Sequence, residues 1–194
     1  LYPVFQPQLD LLSGRVVGLE ALTRWRIDNG THVSPDRFIP VAEQTALILP
    51  IGEWILHQSM RVLESLQQHG HTGLRMSVNV STVQLRQPNF LGILDHALDT
   101  SSIRPECLEL EITESVAALG INQVRTLLEA ICARGVSIAI DDFGTGFSSL
   151  SYLHRLPANR LKIDRSFIHT LEHAQSGRIA EMIVPLGHQL GMKV

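Results

Sequence analysis

A chain of 194 residues, 44% of them hydrophobic, is long enough to bury a core of its own as one domain. Its 16 Lys and Arg against 19 Asp and Glu leave a formal charge of -3, and no basic run is interleaved with aromatics; both facts argue against a DNA- or RNA-coating protein. No stretch reaches the ~18 consecutive apolar residues that a bilayer demands. Leu1 opens the chain without a signal-peptide pattern, which reads as a piece of a longer, cytoplasmic protein whose parent is free to carry a membrane tether. Cys107 and Cys132 read as reduced thiols in apolar surroundings. His69 and His71 lie in a polar loop and make no zinc pattern.

In chain order, residues 2–7 form a short extended lead-in, residues 10–14 a turn, and residues 15–24 a strand. Asn29-Gly30 marks a loop, and Ser34-Pro35-Asp36 predicts a helix start, with Ser34 as cap and Pro35 in the first helical position. The helical tract that follows is expected to break near Pro50 and resume over 51–68, keeping Ile51, Trp54, Ile55, Val62 and Leu66 near one face. A regular alternation comes next. Strands are predicted at 74–80, 107–112, 136–141 and 161–164, and helices at 90–98, 122–134 and 177–190. A short helix is expected from Ser148, and 192–194 would start another strand. Strands alternating with helices indicate parallel β/α units.

The strands share a pattern. Arg75, Ser77 and Asn79 alternate with Met76, Val78 and Val80; Glu109 and Glu111 alternate with Leu108, Leu110 and Ile112; Lys162 and Asp164 alternate with Leu161 and Ile163. Side chains on a strand alternate faces, whereas an open parallel sheet covered on both sides should be continuously apolar. One polar and one apolar face per strand suits a (β/α)₈ barrel, whose active site lies at the C-terminal strand ends. Glu20, Asn79, Glu111, Asp141 and Lys162 are all expected at or near such ends. The competing reading is a mixed sheet with solvated charges.

Asp141 and Asp142 are adjacent, at the mouth of a strand and before a loop carrying Gly144 and Gly146. Two carboxylates about 4 Å apart repel by roughly 4 kcal/mol at an effective dielectric of ~20, so such a pair calls for a cation or a shared proton. A solvated Asp-Asp turn is the plainer alternative. With Glu20, Asn79 and Glu111 the pair makes an all-oxygen set, the kind that hard Mg²⁺ or Mn²⁺ prefers, with room for two ions. Lys162 and Arg24 then supply fixed positive charge for a phosphate or a water. The loop 143–149 could form an anion nest or a lid, with Ser148 capping the next helix.

These motifs resemble the EAL domain family of bacterial cyclic di-GMP phosphodiesterases. Phe5-Gln6-Pro7 looks like its opening motif, and Glu20-Ala21-Leu22 is its signature, continued by Arg24-Trp25. Asn79-Val80-Ser81, Glu111-Ile112-Thr113-Glu114, Asp141-Asp142-Phe143-Gly144-Thr145-Gly146 and Leu161-Lys162-Ile163-Asp164 follow in the family's order. The resemblance implies a modified TIM (β/α)₈ barrel with one antiparallel strand, over residues 1–194. It implies that Glu20, Asn79, Glu111, Asp141 and Asp142 ligate Mg²⁺ or Mn²⁺, with Glu20, Asp141 and Lys162 catalytic. Gln6, Arg24 and Asp142 would contact cyclic di-GMP, and Glu114 would steady the loop after Asp142. A homodimer, with an upstream sensor or GGDEF domain, is implied as well.

Two departures stand out. Ala46 occupies a position where the family commonly has glycine, with little effect expected. The chain also stops at Val194, before the family's late catalytic glutamate and a substrate-binding glutamine, so the last units, with those two residues, are expected to lie beyond it. The reading is a metal-dependent phosphodiesterase that opens cyclic di-GMP to linear pGpG. A non-catalytic cyclic di-GMP receptor is the alternative, and an enolase-like Mg²⁺ barrel is a remote third.

Overall fold

The computed structural model describes residues 1–145, 153–169 and 174–194. They fall into two compact units, Leu1–Leu110 and Glu111–Val194.

The first unit opens with a hairpin, β1 (Tyr2–Leu9) against β2 (Val16–Arg26). Its turn is held by Asp10, whose carboxylate accepts from the Ser13 backbone at 2.8 Å and from the Ser13 hydroxyl at 2.6 Å. The register runs from Tyr2 opposite Arg24 to Gln8 opposite Gly18. The extended lead-in expected at residues 2–7 is most of an eight-residue strand. Pro3 and Pro7 are tolerated because β1 is an edge strand, paired with β2 alone in the strand order. β2 then pairs in parallel with β4 (Arg75–Asn79) from Gly18 to Ala21, and its far end pairs with the short β3 (His32–Val33).

Helix α1 (Pro35–Gln44) starts as expected at Pro35, with Ser34 in the N-cap position but without a side-chain cap bond. The break before α2 (Ile48–Gln68) falls at residues 45–47, not at Pro50. Pro50 sits in the first turn of α2, where its missing N–H has no intrahelical acceptor to lose. The break is instead marked by Ala46, at φ +58°. A one-turn helix, α3 (Thr82–Leu85), follows β4 with a reciprocal capping box between Ser81 and Gln84. Helix α4 (Phe90–Asp99) leads to β5 (Leu108–Thr113). Met60 and Leu63 of α2, Met76 of β4, Leu94 of α4 and Leu108 of β5 are fully buried.

The second unit holds the rest of β5, α5 (Ile121–Cys132), β6 (Ser137–Phe143), β7 (Arg160–Ile163), α6 (Arg165–His169) and α7 (Ala174–Gln189). β6 and β7 are parallel, with Ile140 beside Leu161. Lys193 makes an isolated parallel bridge to Arg160, where the sequence predicts another strand. The helix expected from Ser148 lies outside the described residues.

Strand order is β1-β2-β4-β5 in the first unit and β5-β6-β7 in the second. This is an α/β fold with a mostly parallel sheet and an antiparallel edge strand. Three members of the polar parity are buried, Ser77 fully and Glu109 and Glu111 at 1% exposure each, while Asn79 is exposed. That removes the reading of a sheet with solvated charges. Cys107 and Cys132 are free thiols. Among the described residues, no helix is long and apolar enough to cross a membrane.

Candidate functional site

In the first unit, Glu20 stands midway along β2 rather than at its end. The reason is that β2 outruns its parallel partner. The ladder with β4 stops at Ala21, while the strand continues to Arg26 against β1 and β3. Glu20 is thus near the end of the parallel ladder without being near the end of its own strand. Gln6 on β1 lies opposite it, and Ser77 on β4 beside it, so all three side chains share one face. Asn79 closes β4, and its amide donates to Oε1 of Glu20 at 3.1 Å. Arg24 lies on the same face two rungs further, opposite Tyr2, and donates to the Thr23 carbonyl at 3.0 Å.

On the other side of Glu20 a buried network braces the strands. The Ser77 hydroxyl donates to Glu109 at 3.0 Å, and the Arg75 guanidinium pairs with the same carboxylate at 3.3 Å. Gln8 donates to Ser77 and accepts from Arg75, each at 3.4 Å. Gly18 makes room for it, since a Cβ there would come within 2.7 Å of the Gln8 amide oxygen. The charge parity of Arg75 and Glu109 was visible in the sequence, but their pairing was not.

In the second unit, the Lys162 ammonium donates to Glu111 Oε2 and lies 3.1 Å from Asp141 Oδ1. Glu111 is buried, so this contact replaces the water its carboxylate gave up. β6 runs through both aspartates to Phe143, rather than ending at Asp141. Its register against β7 slips between Ile140 and Phe143, and Asp142 takes a left-handed φ of +53°. Asp142 is hydrogen-bonded to Asp164. Burial, followed by the charges of Asp141 and Asp164, pushes its pKa up to about 6, against the pull of Lys162. Hydrogen bonds from Ser166, one of them backbone at 2.9 Å, hold Asp164 below the usual carboxylate range. Of this pair, Asp142 is the one that takes up a proton first as pH falls. The part played by Asp164 escaped the sequence reading, although its motif was in view.

Glu114 accepts the Gly144 N–H at 2.7 Å, immediately after the two aspartates. Gly144 has φ +101°, and a Cβ there would meet the Phe167 ring at 2.7 Å, so glycine alone suits this position. The second oxygen of Glu114 is buried and has no hydrogen-bond partner among the described residues. Residues 146–149 of the expected loop lie outside the described residues.

Parallel β/α repeats carrying carboxylates, an amide and a lysine on their polar faces define an α/β domain of the TIM-barrel-like class. The EAL domain family model matches residues 1–194, and the chain belongs to that family. It is 41% identical over 191 residues to the bifunctional diguanylate cyclase/cyclic di-GMP phosphodiesterase MucR of Pseudomonas aeruginosa, covering 98% of this chain and 28% of that protein. It is 42% identical to the cyclic di-GMP phosphodiesterase NbdA of the same organism, over 98% of this chain and 24% of that one. The chain thus spans about a quarter of the length of these relatives. Among solved structures, the PaMucR phosphodiesterase in complex with c-di-GMP superposes with a TM-score of 0.93 at 40% identity, over 98% of this chain and 78% of that one.

Proposed function

We propose that this domain is a divalent-metal-dependent phosphodiesterase that hydrolyses cyclic di-GMP to linear pGpG. The observation that carries the reading is the sharing of one ammonium, on Lys162, by the carboxylates of Glu111 and Asp141. Two anions around one cation leave a net negative, all-oxygen donor set, which fits a hard cation such as Mg²⁺ or Mn²⁺.

In this reading Glu20, Asn79, Glu111, Asp141 and Asp142 are the oxygen donors for one or two such ions, as membership of the EAL family implies. When bound, the metal neutralises phosphodiester charge and acidifies water. Lys162 keeps a positive charge beside Glu111 and Asp141 and orients the attacking water. Gln6 and Arg24, on the face of Glu20, bind the dinucleotide. Glu114 steadies the turn at Gly144. The reading extends to a homodimer in the cytoplasm and to a sensor or GGDEF domain elsewhere in the parent protein. The bifunctional name of the MucR relative supports the last of these.

The test is incubation with cyclic di-GMP and either metal, followed by chromatography of the products. Formation of pGpG that is lost in Glu20→Ala is expected. Binding that is equal in EDTA and in metal, with no turnover, would replace the enzyme by a receptor.

A further inference from the structure

Beyond Glu20 the same face of the first unit continues for three more rungs. Strand pairing places Val4 opposite Leu22, Tyr2 opposite Arg24, and His32 opposite Arg26, and residues directly opposite share a face. The outermost rungs are polar, aromatic and cationic. The Tyr2 hydroxyl hydrogen-bonds Nδ1 of His32 at 3.2 Å, and the two rings stand edge to face with centroids 6.4 Å apart. The Arg26 guanidinium lies 5.8 Å from the Tyr2 ring centre. Arg26 and His32 are exposed, and Tyr2 is half-buried.

A core would not be built this way, and a solvated strand end has no need of it. Three chain segments converge to hold one ring in place, with the Arg26 guanidinium over it. From the structure we infer that Tyr2, His32 and Arg26 form a base-binding shelf for the second guanine nucleotide of the substrate, the one whose phosphodiester is not cut. This rests on the proposed phosphodiesterase reading and deepens it. Aromatic and guanidinium planes stack on purines whatever their hydrogen-bonding edge, and a guanidinium also meets phosphate oxygens. The charges are complementary: Arg24 and Arg26 face a ligand with two phosphodiester anions. The shelf is also preorganised. His32 fixes the Tyr2 ring before ligand arrives, which lowers the ordering cost of binding.

The shelf starts roughly 13 Å along the strand from Glu20, at ~3.3 Å per residue. It is therefore a positioning and specificity element, separate from the residues that meet the reacting phosphate. It favours a dinucleotide over a compound with a single nucleotide.

The experiment compares wild type, Tyr2→Ala, Arg26→Gln and the conservative Tyr2→Phe, using cyclic di-GMP as probe. Initial rates in Mg²⁺ and calorimetric titration are measured on each, with melting temperatures as the check on folding. Tyr2→Ala should raise KM and Kd roughly tenfold, within the range of base–aromatic stacking. Tyr2→Phe, which keeps the ring and loses the hydroxyl, should recover most of that loss, and Arg26→Gln should show a smaller one. An unchanged KM and Kd in Tyr2→Ala, with the wild type active, overturns the shelf and leaves the phosphodiesterase reading standing. A wild type that neither binds nor cleaves cyclic di-GMP overturns both.

Discussion

The amide of Asn79 donates to Oε1 of Glu20 at 3.1 Å, joining residues 59 positions apart. The bond orients a carboxylate that the family resemblance makes a metal ligand, and it comes from a residue in the same proposed set. Removing it takes away both an oxygen donor and the contact that fixes Glu20. Outer contacts of this kind typically account for 10–100-fold in metal affinity. Asn79→Ala should therefore weaken Mn²⁺ binding by at least about tenfold, read by calorimetric titration. Affinity equal to wild type would remove Asn79 from the set.

Lys162 sits where a metal and an ammonium compete to neutralise the same carboxylates. Lys162→Met leaves Glu111 buried beside Asp141 without this cation. Breaking a buried pair costs 3–5 kcal/mol; partial exposure of Lys162, and the ability of Glu111 to take up a proton, reduce that to about 2 kcal/mol. The loss should appear in urea unfolding in EDTA and largely vanish in saturating Mn²⁺, because the divalent ion replaces the missing charge. Equal losses with and without metal would mean that Lys162 serves packing alone.

Period-two and period-3.6 patterns made the alternation of strands and helices legible, and parity placed Asn79, Glu111 and Lys162 on polar faces. What stayed hidden depended on partners. Residues 2–7 read only as a short extended lead-in, and the edge position that lets β1 keep its two prolines is not visible without β2. Without β1 and β3 in view, nothing showed that β2 outruns β4, so Glu20 was expected at a strand end. The slip in β6 that sets Asp142 against Asp164 depends on register with β7, which composition does not encode. Pro50 drew the helix break toward itself, while Ala46 gave no local signal.

Ala46 has φ +58°, a conformation in which its Cβ crowds the following carbonyl. Left-handed backbone costs a non-glycine residue roughly 1–2 kcal/mol, while glycine adds back about 0.4–1 kcal/mol through the freedom of the unfolded chain. Ala46→Gly should stabilise the protein by about 0.5–1 kcal/mol, seen as a higher urea midpoint at constant slope. The sequence reading expected little effect at this position; a midpoint that falls or stays put would return to that view.

Glu64, on α2, accepts both the hydroxyl of Ser102 and its backbone N–H, the latter at 3.1 Å. These bonds, the hydroxyl first, hold the Glu64 carboxyl below its ordinary value of 4.5. A carboxylate with a depressed folded pKa favours the folded state above the unfolded value, and that contribution disappears as pH falls through the folded pKa. The window therefore lies below pH 4.5. Ser102→Ala removes the hydroxyl donor and keeps the backbone one, so the Glu64 titration should move up toward 4.5 without reaching it. Carbon-13 NMR of the side-chain carboxyl reads this directly. The variant should show its full loss of stability at pH 7, and that loss should shrink toward zero as pH falls below 4.5, where neither protein keeps the Glu64 contribution. An unmoved Glu64 titration would show that the backbone N–H alone sets its pKa.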